Sequence, residues 1–382
     1  MTGINLSFPK IHEFSEIFSQ HENMKIKQIT LQNYKRFVQP KTFSFTDSDG
    51  MVNEKTLIVG NNGTGKSAIL QAIVILLASA IRDHFNPKNL DWSGFEYRLL
   101  QTGPLPLKIE AEIVFLNEEI RTLKEYARQL KNMGVKLDKQ PAAHQSVIIS
   151  FDYNKRRVFA KGGKEAYYQF RGYQYAKTLT RFTSQKNKMF ENIGNIYWYT
   201  EQRNSNNITN LLESQINQLD DLRIFLASAY NYHTAVQAER RLIQAGEFDF
   251  FAELESIYTK VFPGRSFVGS TPRFDLYEKA QAPDFFLDDG QNQYELSGMS
   301  AGERSVFPIL MDFARWNINN SIIIIDELEL HLHPPLQQTL VRALSQIGRN
   351  NQFIFTTHSN SVISMFDETE NQIIRLPNEP IY

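Results

Sequence analysis

The chain has 382 residues, 41 Lys plus Arg against 42 Asp plus Glu, a formal charge of −1 and no cysteine. Balanced charge gives no global pull toward nucleic acid or an acidic membrane, and the missing thiols exclude disulfides, thiolate metal sites and thiol catalysis. No stretch reaches the about 20 apolar residues of a membrane span, and the start MTGINLSFPKIHEF lacks a basic segment followed by an apolar one, so a soluble, cytoplasmic protein with no membrane contact is expected.

Residues 1–24 are polar and without period, and read as an extension ahead of a domain over 25–382. Ile29 and Leu31 begin a strand. Leu57-Ile-Val59 is a buried strand that ends at a glycine, and Ala68 to Ile81 is apolar on nearly every face, which suits a helix buried in a sheet. Leu107 to Phe115 alternates with Lys108, Glu110 and Glu112, as a half-buried antiparallel strand does. Ile120, Leu123, Ala127 and Leu130 recur at helical spacing, and Ser146 to Tyr153 returns to strand composition. Residues 204–262 are helical in character, with Leu212, Ile216 and Leu219 on one face and Gly246 as a stop, and they separate a lobe over 25–203 from a lobe over 263–382. No heptad run is long enough for an extended coiled coil. Beyond Pro263-Gly264 strands and helices alternate, including Ile322 to Ile325, a helix through Leu344 and a buried strand at Phe353 to Phe355, which predicts a mainly parallel sheet there.

Gly60-Asn61-Asn62-Gly63-Thr64-Gly65-Lys66-Ser67 fits the phosphate-binding loop pattern between a predicted strand and a predicted helix. Glycines let backbone N–H groups wrap phosphates, Lys66 reaches the β and γ oxygens, Ser67 takes Mg²⁺, and the helix start adds favourable potential. An ordinary glycine turn would leave a lysine charge between two apolar elements without an anion. Asp326 and Glu327 follow the apolar run Ile322–Ile325 at the carboxyl end of a predicted central strand. Asp326 is placed to hold Mg²⁺ and Glu327 to polarise the attacking water; the plain alternative is a cap for the next helix.

Met299-Ser300-Ala301-Gly302-Glu303 opens an amphipathic stretch with a hydroxyl, free N–H groups and a positive helix end, a second anion site. Alone it is a common helix start. Lying just before the paired carboxylates, it resembles the signature motif of ATP-binding-cassette ATPases in its Ser-x-Gly-Glu form, found in RecF, SMC and OLD-family heads. Thr357-His358 after the strand Phe-Ile-Phe matches that family's switch histidine, and the resemblance spans about Lys25 to Phe366. It implies an α/β P-loop ATPase head, a mixed sheet with an antiparallel lobe and a helical insertion. It further implies ATP with Mg²⁺ as cofactors, Glu327 and His358 as catalytic residues, and Ser300, Gly302 and Glu303 closing on nucleotide held by a second copy, hence a homodimer or higher even oligomer.

Less specific matches complete the set. Lys35 and Arg36, in Asn33-Tyr-Lys-Arg-Phe37, resemble a family segment whose basic residue approaches the nucleotide. Gln202, after Ile-Tyr-Trp-Tyr, is chosen as the family's metal-loop glutamine, with Gln101 as competitor and Arg203 as a phosphate contact. His331 and His333 follow the carboxylates; two histidines without a third ligand seldom hold a metal, and a subunit contact is preferred. Between Lys155 and Lys188, ten basic residues with interleaved tyrosines and phenylalanine suit a DNA backbone and its bases, and equally suit a solvated antiparallel hairpin with an aromatic core, or a protein partner.

A transporter ATPase is set aside because the loop and signature are 300 − 66 = 234 residues apart and Glu303 replaces the transporter glutamine. OLD nucleases carry a metal-binding nuclease domain after the ATPase, whereas 24 residues follow His358 here (382 − 358). The resemblance is then to the stand-alone ATPases of Septu and PARIS anti-phage systems, which accompany a separate effector such as a nuclease, or to RecF-like repair heads. A scaffold that stores an effector with little turnover is the contrasting class.

Overall fold

The computed structural model describes residues 24–81, 105–183, 187–200, 219–238, 248–273, 282–366 and 372–377. In chain order the first part runs β1 (Lys25–Gln32), β2 (Lys41–Ser44), β3 (Lys55–Val59), α1 (Lys66–Ile81), β4 (Lys108–Val114), α2 (Asn117–Asn132), β5 (Ser146–Asp152), β6 (Arg157–Ala160), α3 (Gly163–Tyr168), α4 (Gly172–Leu179) and β7 (Ile196–Tyr199). The second part runs α5 (Leu219–Ala238), α6 (Phe250–Val261), β8 (Ser266–Thr271), β9 (Asp284–Asp288), β10 (Gln293–Glu295), α7 (Ala301–Trp316), β11 (Ile322–Ile325), α8 (Pro334–Leu344), β12 (Gln352–Thr357), α9 (Asn360–Ile363) and β13 (Ile373–Arg375).

Three sheets result, ordered β2-β1-β4-β5-β6, β10-β9-β8 and β13-β3-β12-β11-β7. The first two are antiparallel. All pairings in the third are parallel, and its central strands are mostly apolar and buried because both faces are covered. Alternation sends Ile58, Ile196, Trp198, Ile322, Ile324 and Ile354 into one core with α1, α2, α4 and the first sheet. Their neighbours Leu57, Tyr197, Tyr199, Ile323, Ile325 and Phe355 enter a second core with α5, α6, α7 and α8. The parallel sheet therefore divides the molecule into two faces, with α1 on one and α7 on the other.

Among the described residues the predicted strands and helices appear at nearly their predicted bounds, while the N-terminal extension through residue 23 and Leu212, Ile216 and Gly246 of the helical segment lie outside the described residues. The parallel sheet, however, recruits β3 and β7 from before residue 203 as well as strands from beyond 263, because a buried central strand takes its neighbours by packing rather than by sequence order. Residues 155–188 depart from the hairpin reading. Only Asp152 to Arg157 close a hairpin, and helices follow. Phe170, Tyr173 and Tyr175 are buried in the first core, and the Tyr167 hydroxyl donates to Ser79 O at 2.7 Å. These rings are packed against protein and are unavailable for stacking on bases. No helix among the described residues is long and apolar enough to cross a membrane.

Candidate nucleotide site

The loop after β3 is built around three glycines. Gly63 and Gly65 have φ of +79° and +99°, a region closed to most side chains. A Cβ on Gly65 would lie 2.7 Å from Arg36 Cδ and 2.8 Å from Phe37 Cζ, and one on Gly60 would lie 2.5 Å from Thr64 Oγ1. Thr64 Oγ1 itself donates to Asn61 O at 2.8 Å. Backbone, not side chain, therefore forms the wall of the loop. The ammonium of Lys66, a buried residue, donates to Gly60 O at 2.7 Å and Asn61 O at 3.1 Å, and no carboxylate pairs with it among the described residues. The first turn of α1 holds no acidic residue, so Ser67 and the helix start face the loop with their positive potential unspent. This donor set fits a phosphate.

Arg36 reaches the same loop and Lys35 the helix that follows it. Their turn is held by the bridge between Tyr34 and Phe37, with Asn33 and Lys35 at φ of 47° and 50°. Arg36 Nη1 donates to Gly63 O and Lys35 Nζ to Gln71 Oε1 in α1. Burial pushes the Lys35 ammonium below its ordinary pKa. Gln202, Arg203 and the alternative Gln101 lie outside the described residues.

Parallel pairing brings the carboxylates to the loop. Thr357 is in register with Val59, the residue before Gly60, and Ile325 with Phe355, so Gly60, Asp326 and His358 leave three adjacent strands at one edge of the sheet. The buried Asp326 accepts from Thr356 Oγ1, and the same hydroxyl accepts the Glu327 N–H at 2.8 Å. Glu327 has φ of +50°, which turns it off the line of the strand; non-glycine residues in this region concentrate at functional sites. Asp326 and Ser67 are the residues that fit Mg²⁺, a hard cation that takes oxygen ligands.

His358 is tied down by a residue absent from the sequence-based set. Glu329, 9% exposed, accepts from Thr357 Oγ1 at 2.6 Å and His358 N at 2.8 Å and lies 2.8 Å from His358 Nδ1. Nothing local in the sequence announces this, because it requires the segment after β11 to lie beside the end of β12.

The signature lies on the other face. Ser300 caps α7 in a capping box, taking Glu303 N at 3.2 Å while the Glu303 carboxylate takes Ser300 N at 2.9 Å. Glu303 differs from its expected place at a nucleotide: its buried carboxylate also accepts from the Tyr258 hydroxyl at 2.9 Å and from Tyr294, and pairs with Arg265. Burial pushes the carboxyl up, but Tyr294, Arg265 and Ser300 together hold it at about 2. It shapes the helix start from within. Ser300 remains exposed, and Gly302 packs so closely that a Cβ would lie 3.2 Å from His331 O. The signature and the exposed His331–His333 segment thus form one continuous surface. A polar cleft of about 460 Å³, lined by Lys55, Asn320, Arg349 and Phe353, sits instead at the amino ends of the parallel strands, away from every motif.

The sequence profile of the AAA ATPase domain family matches residues 24–363. The chain belongs to this family. The AAA ATPase domain is also similar to the "Retron Vc95 probable ATPase" of Vibrio cholerae serotype O1 biovar El Tor, 23% identical with 92% of this chain and 73% of that protein covered. The "Retron Ec83 probable ATPase" of Escherichia coli is 25% identical, covering 90% and 70%. Among solved structures, the SMC head domain from Thermotoga maritima aligns at 15% identity over 90% of this chain and 92% of that one, TM-score 0.40. The Smc head with a coiled coil and joint derived from Pyrococcus yayanosii aligns at 12% identity over 94% and 96%, TM-score 0.49. The AAA ATPase domain has an α/β architecture in which an antiparallel lobe packs on a parallel sheet whose carboxyl end carries the loop and the carboxylates.

Proposed function

We propose that this AAA ATPase domain binds Mg²⁺ and ATP and hydrolyses the terminal phosphate in a site closed by two copies of the chain. One observation carries the reading: the two phosphate-gripping helix starts, α1 after Lys66 and α7 after Ser300, pack on opposite faces of one parallel sheet. One nucleotide held by the loop of one copy is then met by the signature of another. Gly60 to Gly65 and Lys66 bind the phosphates, with Lys35 and Arg36 bracing the loop and Gln202 assigned as the metal-loop glutamine. Ser67 and Asp326 hold Mg²⁺, which when bound offsets phosphate charge. Glu327 orients and accepts a proton from the attacking water, and His358 faces the terminal phosphate.

ATP then acts as a clamp, and closure of the pair gates a separate effector protein, such as a nuclease, or DNA. The two relatives named as retron ATPases support a setting in anti-phage defence over DNA repair. Wild type and Glu327→Gln are compared for solution mass with and without ATP and for phosphate release. An ATP-dependent dimer of E327Q with release near background supports the reading; unchanged mass in both proteins with ATP bound overturns the two-copy site.

A further inference from the structure

We propose that Glu329 is a positioning residue that sets His358 for its contact with the terminal phosphate of ATP, an inference that rests on the ATPase reading above. The Glu329 carboxylate receives two hydrogen bonds, from the Thr357 hydroxyl at 2.6 Å and the His358 backbone N–H at 2.8 Å, and lies 2.8 Å from His358 Nδ1 as an ion-pair contact. An ionised carboxylate only accepts, so Nδ1 carries a proton. The His358 side chain is 58% exposed while that of Glu329 is 9% exposed, so the pinned edge of the ring points inward and Nε2 outward. His358 follows Thr357, whose partner in register is Val59, the last residue before the phosphate loop, and this places the outward nitrogen at the mouth of that loop.

The chemistry follows from the proton count. With one proton held on Nδ1, Nε2 is a defined acceptor in the neutral ring and a donor to a phosphate oxygen only when the ring carries a second proton. Without Glu329 a neutral ring places its single proton on either nitrogen and turns freely. Anchoring the strand end would need only the bonds to Thr357 and the His358 backbone; the close approach to the ring is the contact that a structural role leaves unexplained.

The test uses the full chain as wild type, E329A, E329Q, H358A and E329A/H358A. Side-chain ¹⁵N spectra, with His358 identified by its loss in H358A, report which nitrogen is protonated, and a fluorescent ATP analogue reports binding. The expected result is a protonated Nδ1 in wild type and E329Q that is lost in E329A. Phosphate release at saturating ATP falls about 10- to 100-fold in E329A with analogue binding retained, and E329A/H358A is no slower than H358A. An unchanged His358 signal in E329A overturns the proposal, as does a double variant slower than H358A by the factor that E329A shows alone. E329Q, close to isosteric, keeps the question decidable if E329A folds poorly. A wild type that releases no phosphate sinks the ATPase reading, while the nitrogen signals still decide whether Glu329 sets the ring.

Discussion

The hydroxyl of Thr356 donates to the carboxylate of Asp326 across two adjacent parallel strands. It also receives the Glu327 N–H, so one side chain fixes the Asp326 carboxylate and the backbone that carries its neighbour. Thr356→Val keeps the shape and removes both bonds. The expected outcome is about 10-fold slower phosphate release with a raised Mg²⁺ requirement, read by titrating Mg²⁺ at fixed ATP; an unchanged Mg²⁺ dependence counts against this role.

Gly65→Ala tests the phosphate loop without touching a charge. At φ of +99° an alanine is strained by about 1–2 kcal/mol, and its Cβ meets Arg36 Cδ at 2.7 Å, so the Arg36 bond to Gly63 O must give way. ATP binding measured by calorimetry should weaken markedly while the melting temperature drops only slightly. Retained binding would show that the loop tolerates a wider backbone.

Glu303 gives a pH dependence of one sign. Its folded pKa is held at about 2, below the ordinary 4.5, so its stabilisation is fully present above 4.5 and is lost as pH falls from 4.5 toward 2. Glu303→Gln should lower stability at pH 7 by about 1–3 kcal/mol and flatten the loss of melting temperature over that acid window. An acid limb as steep as that of wild type would place the titration elsewhere.

Asp312, on α7, gives the opposite sign. Burial pushes its carboxyl up to about 7, with the Tyr199 hydroxyl bond at 3.1 Å and Arg315 opposing. Its contribution is therefore present below 3.8 and is lost as pH rises through 7. Asp312→Asn keeps an acceptor for Tyr199 and removes the charge, so its advantage over wild type in thermal unfolding should grow from pH 5 to pH 8. A difference that does not vary with pH refutes the buried charge as its cause.

Much of the site was legible because it is local. Gly60 to Ser67 and Ile322 to Glu327 each carry strand, turn and chemistry in one short run, and the structure brings the two runs to one edge of the sheet. What escaped depends on neighbours distant in sequence. Glu329 matters through the end of β12, and the closing of Tyr258, Arg265 and Tyr294 around Glu303 depends on how α6, the turn before β8, and β10 pack under α7. The basic and aromatic segment was open to several readings because composition was weighed ahead of spacing: Ala166, Phe170, Tyr173, Ala176 and Leu179 recur at three and four, the period of the helices that bury them.

The strand that feeds the phosphate loop has a temporal consequence. β3, at residues 55–59, finds both of its neighbours in β12 and β13, at residues 352–357 and 373–375. A growing chain emerges N-terminal end first, so the loop has no neighbouring strands until about 300 further residues, through β12 and β13, have been synthesised. A copy truncated before residue 352 therefore lacks both of the strands that flank β3 and with them the framework that holds the loop.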